Sequence, residues 1–202
     1  RVVFRSKTYS AEDVVAWLER LSSLSVLIVG ETIFDVYTEC QSLGKASKDP
    51  VLAMNRLDSD THAGGVLAIA SHCAGLGADV SLVSGIHSDD RDHPVVRDLK
   101  ARRVKVTFFD SDPRPTIRKE RFVDVNTQVR VLELYHMRDE PLDVQDEETL
   151  IGTLGSLRLK ADMVLVADYG HGLLGDSTVE LLCDGSSWIA VNAQANAGNY
   201  GF

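Results

Sequence analysis

Along this chain, short runs of uninterrupted apolar residues alternate with stretches whose apolar positions recur every three or four residues. Residues 10–22, SAEDVVAWLERLS, have the second pattern: Ser10 and Asp13 form a capping-box signature, and Val14, Leu18 and Leu21 share one helical face. VLIVGE (26–31) has the first pattern and predicts a buried strand ending in Gly. Helices are expected at 65–76, 93–103, 145–159 and 177–183, and further short apolar strands at 79–85, 104–109, 163–168 and 188–192. Four of these five apolar strands follow a helical segment, the pattern of a parallel sheet with helices on both faces. Two regions read differently. Residues 36–57 hold two extended pieces around the turn-rich SLGKASKDP, and TIRKERFV and QVRVLELY alternate with period two around Asp124 and Asn126, as a β-hairpin does. These polar strands suit a second, exposed, partly antiparallel sheet. The expected class is α/β, in three αβα layers with a mainly parallel central sheet and a small β-sheet besides.

Composition narrows the chemistry. Of 202 residues, 44% are hydrophobic and 25% charged, and the net charge is −9. With no Lys/Arg block, neither nucleic acid nor an anionic membrane is expected as a partner. An anionic substrate stays open, because local N–H groups and a few cations hold a phosphate even in an acidic protein. There is no apolar run of the roughly 18 residues a membrane span needs, and no signal-peptide pattern. Cys40, Cys73 and Cys183 are far apart, so reduced, mostly buried thiols and a cytoplasmic location are expected. The six histidines show no metal-ligand spacing. The start at Arg1 and the stop at NAQANAGNYGF, just after a strand-like run, lead to the expectation that this is a piece of a longer protein.

Ligands of open α/β sheets bind beyond the carboxyl ends of the strands. Glu31 and Asp35 follow the first strand, Asp89 and Asp90 follow the strand at 79–85, and Asp168 ends the fourth in ADYGHGLLG. Such carboxylates accept hydrogen bonds from substrate hydroxyls or hold a metal through water; helix capping or solvation is the competing explanation and the favoured one for Asp89 and Asp90. In HAGGVLAIASHCAGLG (62–77), paired glycines open a helix, where Gly is entropically unfavourable unless something must approach the backbone closely; a tight turn is the alternative. In PTIRKERF, Lys119 and Arg121 share one strand face while Arg118 takes the other. Two cations on one face could hold a phosphate, or merely protect an edge strand. His171, between Gly170 and Gly172, marks a loop open to ligands without a specific chemistry. No GxGxxG follows the first strand, where the chain reads GETIFD, and GxxxxGK[ST] does not occur. That weakens a nicotinamide-dependent oxidoreductase.

Taken in order, VLIVGETIFDVY, the Gly-Gly helix running into GLGADVSLVSGI, PTIRKERF and VLVADYGHGLL resemble the ribokinase (PfkB) carbohydrate kinase family, and within it the sugar kinase module of ADP-heptose synthases. The resemblance covers the chain from about Val26 onward. It implies a ribokinase-like fold with the strands at 36–57 and 116–135 as a β lid over the sugar, often used for dimerisation. It implies that the main chain of Gly64 and Gly65 and the carboxylate of Asp35 bind the sugar, that Ala68 stands beside it, that Lys119 and Arg121 meet a sugar phosphate, and that Asp168 lies at the floor. Asn192 and Gln194 would lie near the phosphates of ATP, used with Mg²⁺. The ending VNAQANAGNYGF is similar to a branch in which the kinase is fused to a nucleotidyltransferase module. Three departures stand out. Ala68 replaces an Asn that hydrogen-bonds the sugar, a loss of about 0.5–1.5 kcal/mol. Asn192, Ala193 and Gln194 replace an expected Asp-Pro-Lys. The family's catalytic Gly-Ala-Gly-Asp segment is absent from the 202 residues. The expectation is therefore a chain inactive by itself, part of a kinase for heptose 7-phosphate or a related sugar phosphate. The alternative is a non-catalytic sugar-binding or dimerisation module.

Overall fold

A computed structural model describes residues 9–184 and 188–194. In chain order the elements are α1 (Ala11–Leu21), β1 (Ser25–Gly30), β2 (Thr32–Lys45), β3 (Leu52–Gly64), α2 (Gly65–Gly75), β4 (Asp79–Ile86), α3 (Pro94–Ala101), β5 (Lys105–Asp110), β6 (Ile117–Asp124), β7 (Arg130–His136), α4 (Val144–Leu157), β8 (Met163–Asp168), α5 (Asp176–Cys183) and β9 (Trp188–Ala193). Five strands, ordered β5-β4-β1-β8-β9, form one sheet with all pairs parallel. The central strand β1 explains its own sequence. Val26 and Ile28 pack with Val66, Leu67 and Ala70 of α2 and Val96 and Leu99 of α3, while Leu27 and Val29 pack with Leu150 and Leu154 of α4 and Leu182 of α5. A strand covered on both faces has no polar side to alternate with.

The order of the sheet strands reverses at β1: the chain winds outward to β4 and β5, then returns to β8 on the other flank. The carboxyl ends of β1 and β8 therefore bound a topological switch point, where open α/β sheets take their ligands. Above this edge stands the second sheet, ordered β3-β2-β6-β7, with β2 and β6 parallel and the outer pairs antiparallel. β2 and β3 extend beyond the expected 36–57, while β6 and β7 occupy 117–136 against the expected 116–135. β2 begins one residue after β1 ends, and β3 runs directly into α2 at Gly64. The alternation places Asp35, Tyr37, Lys119, Arg121, Glu133 and Tyr135 on one face. Phe34 and Arg118 lie on the other, where Phe34 stacks on His93 and Arg118 pairs with Asp90.

Some expectations need correction. The capping box at Ser10 and Asp13 forms as expected. Yet no side chain of α1 is buried, and Val14 and Leu18 remain 44% and 47% exposed, because α1 lies outside the two cores. Cys40 is buried and Cys73 partly so, but Cys183 is exposed at the last residue of α5. Asp89 stays at the surface, whereas Asp90 is held by Arg118 and is not simply solvated. The closing segment 195–202, on which the likeness to fused enzymes rests, lies outside the described residues, as do residues 1–8 of the expected leader.

Candidate functional site

Asp35 stands on β2 directly opposite His62 of β3 and Lys119 of β6. Its Oδ1 accepts a hydrogen bond from Arg121 Nη1 at 2.5 Å, and Oδ2 lies so close to Gly64 that any Cβ there would collide with it. Gly65, with φ +51°, has the Glu31 carbonyl where its Cβ would be. The glycine pair thus has a local cause: it lets the Asp35 carboxylate and the end of β1 press against the start of α2. The Glu31 carbonyl also accepts from Val66 N at 3.1 Å, satisfying one of the helix's free donors.

Glu31 itself is buried, at 3% exposure, and ties β1 to the loop after β8. Its Oε2 accepts from Tyr169 N at 2.9 Å and its Oε1 from His171 N at 3.2 Å. Burial pushes the Glu31 carboxyl up to about 7, opposed by those two N–H groups and assisted by the charge of Asp168. Asp168 is buried at the end of β8 and accepts from Gly170 N at 2.8 Å. His171 is also buried, contrary to the expected open loop. Burial lowers its pKa, and its Nδ1 lies 2.9 Å from Asp139 Oδ1, as a donor from a neutral ring. Glu31 and His171 also line a cavity of about 50 Å³, with room for about one or two waters rather than a sugar.

Lys119 is half-buried between two aromatic rings, its Nζ 5.7 Å from the centre of Tyr135 on β7 and 5.9 Å from that of Tyr169. Burial lowers its pKa, with Asp35 opposing. Tyr169 is hydrogen-bonded to the Asn192 side chain, so the second sheet, the end of β8 and β9 are linked through one aromatic ring. The structure therefore brings Asp35, Gly64, Gly65, Lys119 and Arg121 together, with Asp168 on the same sheet edge. Ala68 sits one turn into α2, partly exposed, and Asn192 and Gln194 are exposed on the β9 side, where Gln194 N donates to Asp168 O at 2.9 Å. Tyr135, Asp139 and Tyr169 were missed. Tyr169 directly follows the singled-out Asp168, but a motif reading gives an aromatic no role; Tyr135 and Asp139 enter only through strand pairing and a loop contact.

The Gly-Ala-Gly-Asp segment is missing from the sequence, and no cluster of three or more His, Cys, Asp or Glu among the described residues could hold a metal. Among the described residues, no helix is long and apolar enough to cross a membrane.

This three-layer α/β fold is ribokinase-like, and solved structures share it. Arabidopsis thaliana ribokinase complexed with ribose and ATP aligns with a TM-score of 0.56 at 15% identity, over 83% of this chain and 53% of that one. A ribokinase from Thermotoga maritima aligns at 0.54 and 15%, over 83% and 52%. In sequence the chain is similar to the bifunctional protein HldE, the ADP-heptose synthase of the likeness above. The HldE of Bradyrhizobium diazoefficiens is 30% identical over 165 residues, 80% of this chain and 33% of the relative; that of Nitrobacter winogradskyi is 31% identical over 168 residues, 82% and 34%. The chain thus spans about a third of the length of these curated relatives. No family profile matches it.

Proposed function

We propose that this chain is the sugar-binding part of a carbohydrate kinase that transfers the ATP γ-phosphoryl group to a hydroxyl of a sugar phosphate, with heptose 7-phosphate the first candidate. The observation that carries this reading is the Asp35 carboxylate of β2 lying against Gly64 at the start of α2, where the second sheet meets the switch point. There a carboxylate and adjacent main chain can accept and donate hydrogen bonds to sugar hydroxyls. The second sheet acts as the lid, and closing it would keep water from the reacting phosphoryl group. Asn192 and Gln194 are proposed to lie near the phosphates of ATP, used with Mg²⁺ by a parent protein that carries the Gly-Ala-Gly-Asp segment. In this reading residues 26–202 are part of a kinase domain, 1–25 precede it, and a nucleotidyltransferase is fused to it as in the HldE relatives. The lid is also proposed to pair two copies through Leu132 and Leu134, which are 51% and 50% exposed.

Calorimetric titration of the chain with heptose 7-phosphate and a panel of hexose phosphates tests the sugar site; no heat with any of them overturns it. A coupled kinase assay on a protein that also holds the catalytic segment tests the reaction. The chain by itself should show no turnover. A second reading, a non-catalytic sugar-binding or dimerisation module, is favoured by Ala68 and by Asn192–Ala193–Gln194. Sugar binding without nucleotide binding by the longer protein would select it.

A further inference from the structure

Taking the proposed sugar site as given, we propose that its two lid cations have separate tasks: Lys119 recognises a phosphate on the sugar, and Arg121 is a positioning residue that orients Asp35. The two lie on one face of β6, two residues apart, yet their surroundings differ. Arg121 is fully engaged. Its Nη1 donates to Asp35 Oδ1, its Nε lies 3.4 Å from Glu133 Oε1, and its guanidinium covers the Tyr37 ring at 5.4 Å. Only 17% of its side chain is exposed. Turning it toward a ligand would strand two carboxylates, one of them the residue assigned to the sugar hydroxyls.

Lys119 is in the opposite condition. Among the described residues its ammonium makes no hydrogen bond and no ion pair, although it is half-buried. The rings of Tyr135 and Tyr169 hold it in place from the lid and from the sheet edge. The charged groups that act on it are Asp35 on β2, Arg121 on β6, Glu31 after β1 and Asp139 after β7, and none forms an ion pair with it. A partly desolvated cation without an acceptor has most to gain from a ligand oxyanion. Asp35 is the register partner of Lys119, so a sugar whose hydroxyls reach Asp35 brings a nearby substituent to the ammonium. The carboxylates around it disfavour a lone anion and favour one delivered on a sugar already held.

The test is calorimetry on the full chain with ribose 5-phosphate, fructose 6-phosphate and heptose 7-phosphate, each against its unphosphorylated sugar. Wild type should bind at least one ester about tenfold or more tighter than the free sugar. Lys119→Met should lose far more affinity for the ester than for the free sugar, so that the preference collapses, and Lys119→Arg should restore most of it. Arg121→Met should weaken both members of a pair by the same factor and leave the preference intact. Circular dichroism and thermal melts establish that each variant folds, and Lys119→Gln takes the place of the Met variant if that one does not. A preference that survives in Lys119→Met, or collapses in Arg121→Met, overturns the proposal. Wild type that binds free sugars and esters equally overturns it while the sugar site stands. Wild type that binds neither overturns the sugar site itself, and the proposal with it.

Discussion

At the side chain of Glu31, two backbone N–H donors favour the charged form, while burial and the neighbouring Asp168 favour the neutral one and prevail. The unfolded chain loses this proton near the ordinary value of 4.5, and the folded protein keeps it up to about 7. Between those values the folded state binds more protons, so stability falls as pH rises through the window, by about 3 kcal/mol in all. Urea melts from pH 4 to 8 should show this decline, and Glu31→Gln should flatten it; an unchanged slope in the variant would contradict the burial argument. The glycine pair invites a second comparison. In Gly64→Ala the new methyl meets the Asp35 carboxylate, which can swing away, so sugar affinity should suffer more than stability. In Gly65→Ala the obstacle is the Glu31 carbonyl and φ is +51°, so stability should drop by about 1–3 kcal/mol. Chemical denaturation beside calorimetry separates the two.

At the scale of elements, α1 carries a complete capping box and yet contributes no buried side chain. Ser10→Ala should therefore destabilise the helix by about 1 kcal/mol without moving the global unfolding midpoint. Amide exchange in residues 11–21 should quicken while that of β1 does not. Wherever a pattern reflected one element's own burial, the sequence was readable. The unbroken VLIV of β1, the capping box and the hairpin around Asp124 all formed where expected, since each follows from local periodicity or turn chemistry. What stayed hidden depends on distant partners. Nothing near Glu31 announces that its acceptors serve N–H groups 138 and 140 residues away. Arg121 looked equivalent to Lys119 until β2 paired with β6 and gave it Asp35. His171 looked accessible until Asp139, from the segment leaving β7, covered it.

For the whole molecule, the two sheets meet along one edge, joined by the buried Thr32–Ser84 hydrogen bond, by Phe34 of β2 packed into the core and by Lys119 beside the Tyr169 ring. The far face of the lid presents Leu132 and Leu134 to solvent, which fits the proposed pairing of two copies. Light scattering after size-exclusion chromatography should then show a dimer for the wild type and a monomer for Leu134→Asp. A monomeric wild type at high micromolar concentration would remove dimerisation from the proposal.

The passage from β1 into β2 takes a single residue, Glu31. Side chains of a strand face alternate sides, so that joint acts as a ruler graduated in twos. One residue added there would turn the ribbon over and carry Asp35 and its neighbours to the side now held by Phe34. The turn at 46–51, by contrast, is free to grow or shrink. Length changes among natural relatives should accordingly collect in that turn and avoid the joint.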